Sequence, residues 1–202
     1  MTKVMGPRWG SCVSFKFLTL QNPKIVRLIP SRVQMVSRLF MPRLVYLSLG
    51  SNIGDRETHL RDAIRRLESA GTVRSVSSIY ETEPVEFIDQ PQFLNCAVAL
   101  ETSSTTEQLM QQLLEMERAM GRRRLHKKGP RTIDLDILLF GDDVVSTPGL
   151  TIPHPAMQRR RFVLEPLAEI APDAGHPILK KTVRQLLEEL PPGQQVHIAP
   201  EK

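Results

Sequence analysis

Two aspartates, Asp134 and Asp136, stand two residues apart in an otherwise apolar run, Ile133–Phe140, that follows Gly129-Pro130-Arg131-Thr132 and closes on Gly141. Its length, apolar content and turn residues at both ends read as a buried strand. Side chains alternate faces along a strand, so both carboxylates project from one face with Cβ atoms roughly 7 Å apart. Two like charges in such a setting are costly unless a cation joins them. A hard divalent ion with phosphate oxygens as its remaining ligands suits that geometry. The competing arrangement gives each aspartate its own arginine, and the chain has arginines to spare.

Those cations lie next door. Arg131 precedes Asp134 by three residues, and Arg122, Arg123 and Arg124 with His126, Lys127 and Lys128 fill the segment before it. Guanidinium groups there could stabilise charge on a transferring phosphoryl group, or the run could be a solvated charged loop. Neither a Walker-type phosphate loop nor a Gly-x-Gly-x-x-Gly follows any strand, so phosphate would be held by side-chain cations and metal. Asn95 lies two residues beyond Phe93 on one strand face. An amide beside a ring suits a flat, hydrogen-bonding heterocycle, and equally an amide satisfied by neighbouring backbone. His154, between Pro153 and Pro155, is by itself more often structural than functional, and Phe162 would ordinarily be core.

The elements that must position these groups follow from periodicity. Arg43–Leu49 reads as a first strand. A helix follows with apolar positions Leu60, Ala63, Ile64, Leu67 and Ala70, capped at Asp55 or an adjacent residue and closed by Gly71. Val73–Thr82 is a second strand, Glu83–Pro91 a proline-bounded loop, and Phe93–Leu100 a third strand buried on both faces. Ser104-Thr105 begin a second helix with Glu107 and Gln108 at capping-box distance and the stripe Leu109, Leu113, Met116 and Met120. The aspartate strand is the fourth. Strand–helix–strand–strand–helix–strand is the order of a ferredoxin-like α+β sandwich, an antiparallel sheet with helices packed on it, four strands and two helices making two layers. Short helices are expected over 162–170 and 183–190, the latter capped by Thr182.

Composition bounds the rest. The 202 residues suit one domain, and two isolated cysteines give no disulfide framework, so a reducing cytoplasm is the default setting. No apolar run reaches the length of a membrane span. Eight of the 27 Lys and Arg residues fall in 1–43, where there is no acid; the other 19 face all 22 acids, a net of −3. That balance argues against a nucleic-acid-binding core. Residues 1–42 are a basic extension: a cleavable leader, a disordered arm, or sequence upstream of a true start at Met41. The domain proper is 43–192, and 193–202 reads as a loose tail.

The run Gly129–Leu138 resembles the signature of the 6-hydroxymethyl-7,8-dihydropterin pyrophosphokinase family. Four further stretches resemble it in the family's order: Leu47–Asn52, Ser78–Pro84, Asp89–Asn95, and Pro153-His154-Pro155 with Arg161–Leu167. The likeness spans about residues 44–173, and the family shares the fold derived above. It implies transfer of the β,γ-diphosphate of ATP to the hydroxymethyl group of the pterin in folate biosynthesis, with two Mg2+ ions, by a monomer that binds neither nucleic acid nor membrane. It places the metals on Asp134 and Asp136, catalysis on Arg122 and Arg131, and the nucleotide on Glu117, Arg124, Ile137, Thr151, His154 and Arg160. Phe93 and Phe162 would sandwich the pterin, Asn95 would bond its edge, and Thr82, Glu83 and Val85 would complete the pocket. The basic loop is one residue shorter than in the best-known member, and Lys128 stands where that member has an aromatic.

Two rivals share parts of this pattern. Nucleotidyltransferases pair Gly-Ser with Asp-x-Asp, but within a few tens of residues, whereas Ser51 and Asp134 are far apart in sequence. An RNA-recognition module shares the strand order and needs exposed aromatics on a basic sheet face.

Overall fold

The computed structural model describes residues 41–84, 90–122, 129–193 and 195–200. Most of the basic extension, Val85, and the loop residues Arg123, Arg124, His126, Lys127 and Lys128 lie outside the described residues.

Strand β1 (Arg43–Ser51) leads to helix α1 (Arg56–Leu67), where the Asp55 carboxylate accepts from Thr58 N–H at 3.2 Å. Strands β2 (Thr72–Val76) and β3 (Tyr80–Thr82) both pair antiparallel with β4 (Phe93–Thr102). The expected second strand is thus broken at 77–79, where Ala97 N–H bonds the Ser77 hydroxyl at 2.9 Å. Helix α2 (Thr106–Ala119) starts in a full capping box between Thr105 and Gln108, a motif whose loss typically costs about 1 kcal/mol. Strand β5 (Asp134–Phe140), hairpin strands β6 (Val145–Thr147) and β7 (Leu150–Ile152), a 3-10 turn at 157–159, and helices α3 (Arg161–Ile170) and α4 (Val183–Glu188) follow.

The main sheet runs β5-β1-β4-β3, with β2 also on β4. This is the antiparallel order of the ferredoxin-like core. Its far edge is extended by β8 (Val196–Ile198), which pairs with β3. The segment read as a loose tail therefore includes an edge strand: a short β-prone run finds the open N–H and C=O groups of β3.

The core is double. On one face Leu47, Leu49, Cys96, Val98, Leu135 and Ile137 meet Leu60, Leu67, Leu109 and Leu113 of α1 and α2. On the other, Ala97, Leu138 and Leu139 meet Val163, Leu164, Leu167 and Leu186 of α3 and α4. Helices cover both faces, so the sheet surface that an RNA-recognition module leaves open is occupied. Burial pushes the Cys96 thiol up to about 12, which leaves it unreactive at neutral pH.

Gly71 is not a helix cap. Helix α1 ends at Glu68 in ordinary right-handed geometry, and a Cβ on Gly71 would sit 2.3 Å from the Glu101 carbonyl oxygen. Glycine is required there because α1 delivers the chain against the backbone of β4.

Candidate active site

Register assembles the site. Gly50 of β1 lies opposite Asp134 on β5 and opposite Asn95 on β4, and Asn95 in turn lies opposite Tyr80 on β3. One row across the sheet therefore carries Asp134, Gly50, Asn95 and Tyr80. The next row carries Asp136, Ser48 and Ala97. Strands pack about 4.8 Å apart, so Asp134 and Asn95, with one strand between them, belong to one cleft. That cleft, partly open to solvent, is lined by both aspartates, Arg131, Arg160, Phe93, Phe162, Asn95, Thr82 and Glu83.

The carboxylate half is held by arginines. Arg122 contacts Asp134 at 2.6 Å and also pairs with Glu117, while Arg131 reaches the other oxygen of Asp134 at 3.0 Å. Glu117 falls in the buried stripe of α2, only 3% exposed, and accepts from Leu135 N–H at 2.9 Å. Burial raises its pKa, against the pull of that bond and of Arg122. Asp136 is pushed up to about 7 by burial, then by Asp134 and Glu117, with Arg131 and Arg160 opposing. A carboxylate kept so reluctant to ionise is one that a bound cation would relieve. Among the described residues no group of three or more His, Cys, Asp and Glu side chains is arranged to hold a metal. A two-carboxylate site therefore fits ions that bring phosphate oxygens with them.

Both sequence arrangements for the aspartates are present in part: Asp134 has its arginines, and Asp136 faces an excess of negative charge.

The aromatic half is equally defined. Asn95, 3% exposed, donates from Nδ2 to the Thr82 hydroxyl at 2.7 Å, which leaves its Oδ1 over the cleft floor. The guanidinium of Arg131 lies 5.5 Å from the Phe93 ring and that of Arg160 lies 5.6 Å from the Phe162 ring, within cation–π range. Phe162 is carried on the first turn of α3. The last turn of α3 is anchored to β3, because the Glu169 carboxylate accepts from Ser78 N–H and Oγ–H, each at 3.0 Å, and from Tyr80 O–H at 2.9 Å. Burial and Glu169 push the Tyr80 phenol up to about 12.

Gly50 is what keeps the two halves continuous. A Cβ there would stand 2.9 Å from Asn95 Oδ1 and 3.9 Å from the Phe93 ring. Gly50→Ala should fold, since only a side-chain amide must yield. It should raise the KM for the heterocycle by about tenfold while the KM for the nucleotide stays near its parent value, as steady-state kinetics would show.

The remaining nucleotide candidates are less uniformly placed. The Ile137 side chain packs in the α1/α2 core, on the face away from Asp136, so only its backbone can serve the cleft. Thr151 is exposed on the β6–β7 hairpin. His154 is brought close by a bulge: the β1–β5 register shifts so that Leu138 has no opposite number, and its carbonyl accepts from His154 N–H at 2.9 Å. The His154 Nδ1 accepts from Ala156 N–H at 3.2 Å, and the ring's pKa is lowered to about 4 by burial and then by Arg160. An unfolded histidine takes up its proton near 6.5, so the stability from this neutral ring is present above that pH and lost as pH falls toward 4. Denaturation as a function of pH should show that loss, at most about 1.4 kcal/mol per pH unit, and His154→Gln should flatten it.

Sequence reasoning gave no role to Ser48, Gly50, Pro84 or Gln90, which also line the cleft. Only the strand register, applied to the Leu47–Asn52 stretch, could have placed Ser48 and Gly50 there. Among the described residues no helix is long and apolar enough to cross a membrane.

A family model described as 7,8-dihydro-6-hydroxymethylpterin-pyrophosphokinase matches residues 46–172. A 2-amino-4-hydroxy-6-hydroxymethyldihydropteridine pyrophosphokinase of Bacillus subtilis is 52% identical over 132 residues, covering 64% of this chain and 79% of that one. Its namesake in Aquifex aeolicus is 39% identical over 145 residues, covering 72% and 91%. The wild-type Plasmodium falciparum HPPK-DHPS crystal structure superposes with a TM-score of 0.58 at 16% identity, over 73% of this chain. This chain covers only 44% of that one, so the likeness concerns the fold of one part. With the cleft, the paired aspartates and the sequence agreement in the same place, the chain belongs to the 7,8-dihydro-6-hydroxymethylpterin-pyrophosphokinase family.

Proposed function

We propose that this protein transfers the β,γ-diphosphate of ATP to the hydroxymethyl oxygen of 6-hydroxymethyl-7,8-dihydropterin, releasing AMP, as a step of folate biosynthesis. The observation that carries this reading is the single cleft shared by an aspartate pair and an amide–aromatic pocket, with Arg131 touching both. The ring of the pterin lies between Phe93 and Phe162, and its edge meets Asn95 and the backbone near Thr82 and Glu83. The triphosphate extends toward Asp134 and Asp136, with Arg160 and His154 on the nucleotide side.

Asp134 and Asp136 would hold two Mg2+ ions, which supply charge neutralisation on the phosphate oxygens when bound. The hydroxymethyl oxygen attacks the β-phosphorus, its proton is released, and the bond from that phosphorus to the α,β-bridging oxygen breaks. Arg122 and Arg131, now paired with Asp134, turn to the phosphates once that carboxylate has another cation; their planar donors then meet charge on the bridging and leaving oxygens. Phe93, Phe162 and the buried floor exclude water, which keeps ATP from being hydrolysed instead.

The test is AMP release from ATP and magnesium, measured with and without the hydroxymethyl pterin. Strict dependence on the pterin is expected, and AMP formed equally fast without it would overturn the assignment.

A further inference from the structure

Asn52 does not itself line the cleft, yet it is bonded to residues that do. It is 1% exposed. Its Oδ1 accepts from Arg131 N–H at 2.8 Å, and its own N–H donates to the Arg131 carbonyl at 3.1 Å. Its Nδ2 donates to Gln90 Oε1 at 3.1 Å and to the Pro91 carbonyl at 3.3 Å. The orientation of the amide is fixed by chemistry, because an N–H can only donate and a backbone carbonyl can only accept. A side chain that spends both ends of its amide in this way, out of water, holds its partners with little freedom.

Those partners carry the chemistry. Arg131 bonds Asp134 and covers Phe93, and Gln90 lines the same cleft. The two segments are about 40 residues apart in sequence, and Asn52 is bonded to both. Two residues before it, β1 supplies Gly50 to the cleft floor, so the same stretch of chain serves the floor and holds Arg131 and Gln90.

We infer that Asn52 is a positioning residue for the transfer: through Oδ1 it fixes the backbone that presents Arg131 to the phosphates, and through Nδ2 it fixes the Gln90–Pro91 wall of the pterin pocket. This rests on the pyrophosphoryl-transfer reading of the site. Its two arms have separable effects. The first sets the placement of a catalytic cation and is read in kcat. The second sets the fit of the acceptor and is read in its KM.

Two variants separate the arms in steady-state assays of AMP release. Asn52→Ala loses both; displacement of the cation and the wall should lower kcat by about 100-fold and raise the pterin KM by about tenfold, with the ATP KM little changed. Asn52→Asp is nearly isosteric, keeps an acceptor for Arg131 N–H, and has no donor for the Pro91 carbonyl even if the Gln90 amide turns over. It should keep kcat within about threefold of the parent while the pterin KM still rises by about tenfold. If Asn52→Asp leaves the pterin KM within about twofold, or lowers kcat as far as Asn52→Ala does, the inference fails, whatever either variant does to Tm. A variant that does not fold leaves the decision to the isosteric one. Failure of the parent chain to release AMP would count against the reaction, not against Asn52.

Discussion

Asp136→Asn should abolish turnover and, in the same protein without ligands, raise thermal stability. The two effects have one origin. Asp136 is buried beside Asp134 and Glu117, and its pKa stands at about 7 where an ordinary aspartate is near 3.8. A folded-state value raised above the unfolded one means that the stability from the protonated form is fully present below about pH 4. It is lost as pH rises through 7. At pH 8 in a chelating buffer the parent therefore carries the cost of a buried carboxylate, and the isosteric amide removes about 1–3 kcal/mol of it. Near pH 4 the two proteins should melt together. Turnover falls by about three orders of magnitude or more, because an amide contributes no charge to a metal-bound triphosphate.

Asp134→Ala separates the sign of the stability effect from the catalytic one. Asp134 holds Arg122 at 2.6 Å and Arg131 at 3.0 Å, so its removal leaves two guanidinium groups short of a partner. That variant should lose turnover and melt earlier, and comparing the two by calorimetry in chelator checks the assignment of their environments.

The second large effect is expected at Arg131. Its guanidinium meets the Asp134 carboxylate on one side and the Phe93 ring on the other. Arg131→Ala should lower kcat by about 100- to 1,000-fold, the size seen when one preorganised donor to a developing charge is removed. The KM for ATP should move by less than about tenfold, since the contacts proposed for Arg122, Arg160 and the metals would remain. Arg131→Lys should recover only part of the loss, because an ammonium lacks the planar fork. Single-turnover kinetics at saturating substrate distinguishes this from a binding defect: an unchanged chemical rate with a weakened ATP affinity would contradict the role.

Much of the site was legible because its two halves are local patterns. Alternation in Ile133–Phe140 puts Asp134 and Asp136 on one face, and Phe93 and Asn95 share a face for the same reason. The helix caps at Asp55, Thr105 and Thr182 followed from local rules, and each is present. What sequence could not supply was register. That Gly50 lies between Asp134 and Asn95 depends on how β1 aligns with two strands far from it in sequence. Glu117 carried no signal of its own, since a carboxylate in an amphipathic helix is ordinarily on the wet side; here it is the helix's buried contact with β5. The third layer was missed because α3 and α4 are short, and a strand that is buried on both faces does not say what covers the second one. The bulge at Leu138 breaks alternation inside an apolar run, where every residue type fits either face.

Product analysis by phosphorus NMR, with ATP, magnesium and the hydroxymethyl pterin, bears most directly on the chemistry of the cleft. AMP and a pterin diphosphate should appear in equal amounts, and neither should appear with Asp136→Asn. ADP, or free pyrophosphate with no phosphorus on the pterin, would contradict pyrophosphoryl transfer at this aspartate pair.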